Sequence, residues 1–226
     1  MQRLLDILLS GLALVVLSPL PLPVAIALRL TGEGEIFYAQ RRIGLSGQPF
    51  NLLKFATVLK CSPNIGTGNI TIKGDLHVLP FGAFLRKTKI NELPQLINIL
   101  RGDMSVIGPR PMTEDNFLSY SAEIRSAIFN VRPGLSGIGP VIFRNEEELL
   151  HASADPRYVH ANVIGPYKGA LEQWYVTRQG LSLYVALIVL TAWAVVRPQS
   201  RLVWRMFPSL PKPSSELSAL FQAAAG

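Results

Sequence analysis

Cysteine is almost missing from this sequence. Cys61 stands alone among 226 residues, which excludes an internal disulfide and points to a reducing compartment. Histidine is scarce too, and His77, His151 and His160 lack the spacing of a zinc site. Acidic residues are in deficit: 15 Asp and Glu face 22 Lys and Arg, for a net charge of +7. That excess suits an anionic membrane face or phosphorylated ligands. It would also suit nucleic acid, but there is no nucleic-acid fold motif and no basic stripe interleaved with aromatics, so no nucleic-acid partner is expected. Internal repeats and long low-complexity runs are absent. Gly66-Thr67-Gly68 is not a phosphate loop, because no Gly-Lys-Ser/Thr follows it. Gly134-Leu135-Ser136-Gly137-Ile138 lacks the closing glycine of a nucleophile elbow, which argues against a serine hydrolase.

Apolar residues are abundant. They make up 49% of the chain and mean hydropathy is +0.29, high for a soluble domain. The excess sits at two ends, so a membrane is implied. Ile7 to Leu28 is uncharged over 22 residues, long enough to span a bilayer as one helix. Ser18-Pro19-Leu20-Pro21-Leu22-Pro23 breaks it in the middle, and each proline removes a helix hydrogen bond. Three forms stand open: a re-entrant helix-break-helix, a kinked span, and a cleaved signal peptide. Asp6 in the basic start and the length of the apolar run weigh against the last. Gly180 to Val196 is 17 uncharged residues, short for a span but sufficient for a helix lying in the interface. Tyr184, Trp193 and Trp204 suit headgroup depth.

Between these ends the pattern is α+β and mostly helical. Ile36–Ala39 and Phe50–Phe55 read as strands of a small β-hairpin around the turn Gly44–Pro49. Ser62–Gly74 reads as a loop, and Glu114–Phe129 as helix. Phe143–Tyr167 reads as a variable, substrate-facing loop. The expected division is a re-entrant membrane helix at 1–30, a cytoplasmic catalytic domain at 31–178, interfacial helices at 179–207 and a mobile tail at 208–226.

The chemistry concentrates in Arg86 to Pro111, RKTKINELPQLINILRGDMSVIGPRP. Leu93, Leu96, Ile97 and Leu100 mark one apolar face of a short helix. Asn91 stands where an N-cap belongs, Pro94 falls in the first turn, and Gly102 stops the helix. Five basic residues (Arg86, Lys87, Lys89, Arg101, Arg110) and two acids (Glu92, Asp103) share these 26 positions. A helix N-terminus among cations is a place to hold phosphate. An ordinary amphipathic helix with a solvated basic rim has the same pattern. Asp103 is expected to cap a turn, with metal binding the alternative.

The run resembles the signature of the monotopic phosphoglycosyl transferases, the bacterial sugar transferase family that starts glycan assembly on a polyprenyl phosphate. Leu93-Pro94-Gln95-Leu96, Asn98-Ile99-Leu100, Gly102-Asp103-Met104-Ser105 and Gly108-Pro109-Arg110-Pro111 match the family's blocks. So do Gln40 to Gly44, Lys54-Phe55 with Thr57, Asp75, Gly82, Leu85-Arg86, Arg132-Pro133-Gly134 with Ser136-Gly137, and Tyr175. Ala56 and Val58 depart, and Glu172 stands at a family Asp. Asn91 stands in place of the acid that is the family's nucleophile.

The resemblance implies the re-entrant form and transfer of a sugar-1-phosphate from a UDP-sugar to undecaprenyl phosphate, releasing UMP. The implied place is the cytoplasmic face of the bacterial inner membrane, in contact with its lipid, in exopolysaccharide, capsule or O-antigen assembly. Interfacial helices leave a homodimer open. The implied cofactor is Mg²⁺, held at Glu92 and Asn91, which are also the catalytic candidates. Lys54, Arg86, Arg110, Arg132 and Tyr175 are the candidates for holding phosphate and substrate. Because an amide is a poor nucleophile, three explanations of Asn91 stand. Glu92 is the nucleophile or activates direct lipid-phosphate attack; a substitution traps an inactive form; or the protein is a non-catalytic scaffold that binds lipid or nucleotide sugar.

Overall fold

The computed structural model describes residues 1–59, 78–151, 153, 155–197, 200 and 202–223. The Ser62–Gly74 loop, Asp75, Cys61 and His77 lie outside the described residues.

Two helices open the chain, α1 (Gln2–Leu17) and α2 (Pro21–Thr31), bent by 65° at the Ser18–Leu20 break. Pro21 begins α2, where its missing N–H does no harm. Among the described residues no single helix is long and apolar enough to cross a membrane, and this bent pair together passes that test. Leu4, Leu8, Leu12, Val15 and Val16 of α1 and Leu22, Ile26 and Leu30 of α2 are exposed.

The antiparallel hairpin follows as β1 (Phe37–Ile43) and β2 (Pro49–Phe55), in a register that pairs Phe37 with Phe55 and Ile43 with Pro49. Val24 and Leu28 of α2 cluster with Phe55 and with Leu85 of α3 (Pro80–Lys87). The hairpin base is thereby tied to the bent pair.

Past a 3₁₀ turn at Ile90–Glu92 comes α4 (Gln95–Arg101), which Gly102 ends in the left-handed region at φ 97°. Two expectations need correction here. Asn91 is not the N-cap; it is buried inside the turn, and Pro94 holds the cap position. The buried apolar pair of α4 is Leu96 with Ile99, while Ile97 and Leu100 are 36% and 38% exposed. The phase shifts because Asn98 shares the inner face. Its Oδ1 accepts from Leu53 N at 3.0 Å, and its Nδ2 donates to Asn51 O at 2.8 Å and Asp103 Oδ2 at 3.0 Å. A buried amide serves the edge of β2 as a further strand would.

Two short strands, β3 (Ser105–Ile107) and β4 (Gly134–Ser136), pair in parallel. Between them α5 (Glu114–Leu118) and α6 (Ala122–Phe129) are capped by Thr113 and Ser121, so the predicted Glu114–Phe129 helix is divided. Next come α7 (Ile138–Ile142), α8 (Glu146–His151), α9 (Pro156–Tyr158), a π-helical turn at Val159–Ile164 and α10 (Gly165–Arg178). The expected loop at 143–167 is therefore mostly helical. Phe143, Leu149, Leu150, Val159, Val163 and Ile164 join the main core.

That core continues into α11 (Leu181–Val196), α12 (Leu202–Met206) and α13 (Ser215–Ala223). Of the segment expected as a mobile tail, residues 208–223 are docked. Leu210 and Leu217 are buried, Phe221 packs on Phe143 at 5.6 Å, and Tyr167 Oη donates to Pro211 O at 2.9 Å. Its apolar residues, spread among Pro and Ala, find their partners only in the folded core. α11 buries Leu183, Tyr184, Leu187 and Leu190 and leaves Val185, Val189, Trp193 and Val196 exposed. Tyr184, expected at headgroup depth, is instead 1% exposed. Trp204 packs on Phe221 at 5.9 Å.

Tyr184 turns inward because Asp6 is there. The buried Asp6 Oδ1 accepts from Tyr184 Oη at 2.7 Å, Ser105 Oγ at 2.8 Å and Val106 N at 2.8 Å. One carboxylate joins α1, β3 and α11. Asp6→Ala would strand three donors, so a loss of about 3 kcal/mol is expected, read as a fall in melting temperature in detergent. Asp6→Asn, which keeps an acceptor, should lose less.

Candidate active site

The hairpin presents alternate residues on one face. Tyr38, Gln40 and Arg42 lie opposite Lys54, Leu52 and Phe50, so Arg42, Leu52 and Lys54 share a side. That side forms one wall of a pocket completed by Glu92, Gln95, Arg110, Pro111, Gly134 and Leu135.

Glu92 is delivered by backbone strain. Lys89, between α3 and the 3₁₀ turn, adopts φ 62° and ψ 11°, a left-handed conformation uncommon for lysine. The chain reverses there, sending Asn91 inward and Glu92 into the pocket wall.

Arg110 is delivered by the Gly108–Pro111 corner, which is fixed on several sides. Gly108 N donates to Ser136 O at 2.9 Å and Gly134 N to Pro109 O at 2.7 Å. A side chain at Gly108 would run into the Arg132 carbonyl and Gly134, so corner and strand must both be bare here. Arg42 Nη1 donates to Pro111 O at 3.2 Å, and Ile43 N to Met112 O at 2.9 Å. The Arg110 amide reaches Glu172 Oε1 at 3.4 Å. The guanidinium itself stays half exposed, its Nη2 3.9 Å from Glu92 Oε1.

Burial pulls the Glu92 carboxyl upward, but Arg110, Lys54, Lys89 and Arg86 together hold it below the usual range. Glu92 is an ionised carboxylate at neutral pH. Burial pushes the Lys54 ammonium down to about 7, opposed by Glu92 and reinforced by Arg110, Arg42 and Arg86. Arg42 is lowered to about 10 by burial and by Arg110. Behind the corner, burial pushes the Glu172 carboxyl up to about 7, and its Oε2 is buried without a hydrogen-bond partner. The pocket thus carries more positive charge than its own carboxylate balances, which is the electrostatics of an oxyanion site.

Lys54, Glu92 and Arg110 meet in this pocket, and Asn91 lies beside them in the chain. Arg86 stands at its edge, donating to Glu147 Oε1 at 2.6 Å. Arg132 lies elsewhere, donating from Nε to Gly102 O at 3.0 Å and so satisfying the end of α4. The glycine loop beside it is strand β4, with its Gly134 amide already engaged. Tyr175 is buried in the core, its hydroxyl 3.4 Å from Ile107 O. Asp103 accepts from Asn98. Arg42 and Gln95 were not among the residues singled out from the sequence. Arg42 was within reach, since Lys54 and the hairpin register place it on the same face. Gln95 lies inside the matched Leu93-Pro94-Gln95-Leu96 block.

Among the described residues no cluster of three His, Cys, Asp or Glu could hold a metal ion. Asn91 Oδ1 is buried and has no hydrogen-bond partner, and Glu92 is ionised. One carboxylate and one amide oxygen fit a hard cation only where an oxygen-rich ligand such as phosphate completes its shell.

Comparison with known proteins agrees with this chemistry. A family model described as bacterial sugar transferase matches residues 1–198. The exopolysaccharide production protein ExoY of Rhizobium meliloti is 36% identical over 175 residues, covering 70% of this chain and 76% of that protein. The UDP-glucose:undecaprenyl-phosphate glucose-1-phosphate transferase of Caulobacter vibrioides is 39% identical over 145 residues, covering 62% of this chain and 53% of its own length. The protein of that same name from Escherichia coli is 34% identical over 153 residues, with 66% of this chain and 33% of its own length covered. The chain thus spans about half or a third of those two transferases. With the match running through the bent helix pair, the hairpin, the Glu92 pocket and α11, this chain belongs to the bacterial sugar transferase family.

Proposed function

We propose that this protein transfers a sugar-1-phosphate from a UDP-sugar to undecaprenyl phosphate, releasing UMP, as the first membrane step of exopolysaccharide-type glycan assembly. The observation that carries this is an ionised Glu92 held among Arg110, Lys54, Lys89 and Arg86 in a pocket open to solvent. Support comes from relatives named for that reaction and for exopolysaccharide production.

Glu92 is the nucleophile. Its oxygen attacks the β-phosphorus of the UDP-sugar and forms an acyl–phosphate bond. The bond from that phosphorus to the α-phosphate oxygen breaks, and UMP leaves with the electron pair. An oxygen of the lipid phosphate then attacks the same phosphorus, and the acyl–phosphate bond breaks to restore the carboxylate. Arg110 and Lys54 neutralise the diphosphate, and Arg42 extends the cationic wall. Asn91 cannot serve as the nucleophile, since a neutral amide lacks an activated lone pair. Glu92 and Asn91 Oδ1 are the protein oxygens that would hold Mg²⁺, which when bound neutralises charge on the transferring phosphoryl group.

The bent pair inserts into the cytoplasmic face of the inner membrane as a re-entrant unit. Both of its ends are fastened to the same globular body. At one end Arg3 donates to Ile99 O and Leu100 O and Asp6 is locked to β3; at the other Leu28 is buried against Phe55 and Leu85. A span would have to separate those ends by the bilayer thickness. The exposed apolar faces of α1, α2 and α11 then meet lipid, and the insoluble acceptor meets a water-soluble donor at the pocket.

Three outcomes are expected. In detergent, with Mg²⁺, undecaprenyl phosphate and a panel of UDP-sugars, the protein releases UMP with at least one sugar, and Glu92→Gln lowers the rate about 1,000-fold, a loss of about 4 kcal/mol in transition-state stabilisation. No release with any sugar favours a binding scaffold, and release that survives Glu92→Gln removes Glu92 from the mechanism. The Lys54 ammonium is charged below about pH 7 and neutral above it, so pyrophosphate should bind more weakly as pH rises through 7. Lys54→Arg, which stays charged, should flatten that dependence between about pH 6 and 8.5. In a Cys61→Ser background, cysteines introduced at positions 2 and 33 should be labelled from the same side of sealed vesicles.

A further inference from the structure

Arg86 is one of the four cations that keep Glu92 ionised, and it is also bound to a second carboxylate. Its Nη2 donates to Glu147 Oε1 at 2.6 Å. The mechanism above gives Glu147 no task.

We propose that Glu147 is an affinity-setting residue. Its carboxylate occupies Arg86 in the free protein, and an entering phosphoryl oxyanion must displace it to engage that guanidinium. The inference deepens the transferase reading and rests on its premise that the pocket takes a diphosphate.

Three observations carry it. The first is that the bridge is not what seats α8. Leu149 and Leu150 of that helix are buried in the main core. Glu146, beside Glu147, accepts from Lys168 Nζ at 2.6 and 2.7 Å and so ties α8 to α10. Parting Arg86 from Glu147 therefore leaves the helix in place.

The second is that the bridge is open to exchange. The two side chains are 24% and 45% exposed, and a pair so solvated holds its partners weakly. A phosphoryl group offers Arg86 more charge and a bidentate set of acceptors, which favours the ligand over the carboxylate. Arg86 Nε is buried without a hydrogen-bond partner. The present pairing leaves that donor unsatisfied, and a turn of the guanidinium toward a ligand relieves it.

The third is place. From its latched position Arg86 already acts on both Glu92 and Lys54, the acid and the ammonium of the pocket. Glu147 acts in turn on Lys89, another of the cations around Glu92. The acid thus lies against the cationic wall of the site, where a carboxylate competes with bound oxyanions.

The test measures binding of inorganic pyrophosphate to the full chain in detergent, at one pH and ionic strength. Wild type, Glu147→Gln, Arg86→Gln and the double variant are compared. Removing the competitor should tighten binding about fivefold in Glu147→Gln, and Arg86→Gln should weaken it. In the Arg86→Gln background the same change at Glu147 should gain less than about twofold, because no guanidinium is left to unmask. Glu147→Asp, which keeps the charge on a shorter stem, should tighten binding about twofold. Equal gains in both backgrounds mean that Glu147 acts through general charge alone and overturn the proposal. So does weaker binding in Glu147→Gln, the sign of a bridge that merely holds Arg86 in position. Either result leaves the transferase reading standing. Pyrophosphate that binds none of these proteins removes the shared premise and sinks both.

Discussion

An ionised carboxylate kept among more cations than it can neutralise is the constraint on which the rest of this structure depends. Left alone, burial would protonate Glu92, and a neutral acid could neither attack phosphorus nor hold a hard cation. Four positive side chains prevent that. Burial and, after it, the neighbouring Arg110, Arg42 and Arg86 carry a cost, visible as a Lys54 ammonium pushed to about 7. An oxyanion entering the pocket relieves that cost, so binding and electrostatic relief coincide. The hairpin, the strained Lys89 turn and the Gly108–Pro111 corner bring these charges together from three separate stretches of chain.

The same economy governs the N-terminal helix. Asp6 is a carboxylate on a helix whose outer face is almost wholly apolar, and it stays buried because three donors from β3 and α11 converge on it. Through that knot, and through Arg3 on the end of α4, the first helix is coupled to the strand that leads into the Arg110 corner. The first helix and the Arg110 corner are thereby fastened to one another.

Much of this was legible in the sequence because local rules decide it. Gly102 had to end α4, the Gly-Pro-Arg-Pro run had to be a corner, and alternating residues between glycine-rich turns had to be a hairpin. The family resemblance, with Lys54, Glu92 and Arg110 among its residues, added that they belong to one site. What escaped was decided at a distance. The inner face of α4 includes Asn98 because, among the described residues, β2 has no further strand along that edge, a fact of tertiary pairing. Tyr184 has the composition of an interfacial aromatic and is drawn inward by a residue 178 positions earlier. Arg132 has an anion-binder's sequence context but spends its guanidinium on the Gly102 carbonyl. The tail after Pro208 has a disordered composition, yet Leu217 finds a place in the core.

Asn91 sharpens the question of where covalent chemistry can occur, since the residue beside Glu92 brings an oxygen without a nucleophile. The most direct measurement is peptide mass spectrometry after incubating the protein with Mg²⁺ and a UDP-sugar it binds, with lipid acceptor withheld. A phosphosugar adduct on the peptide containing Glu92, discharged when undecaprenyl phosphate is added, is the predicted result. An adduct on another residue, or turnover with no covalent species at any time, would contradict the account.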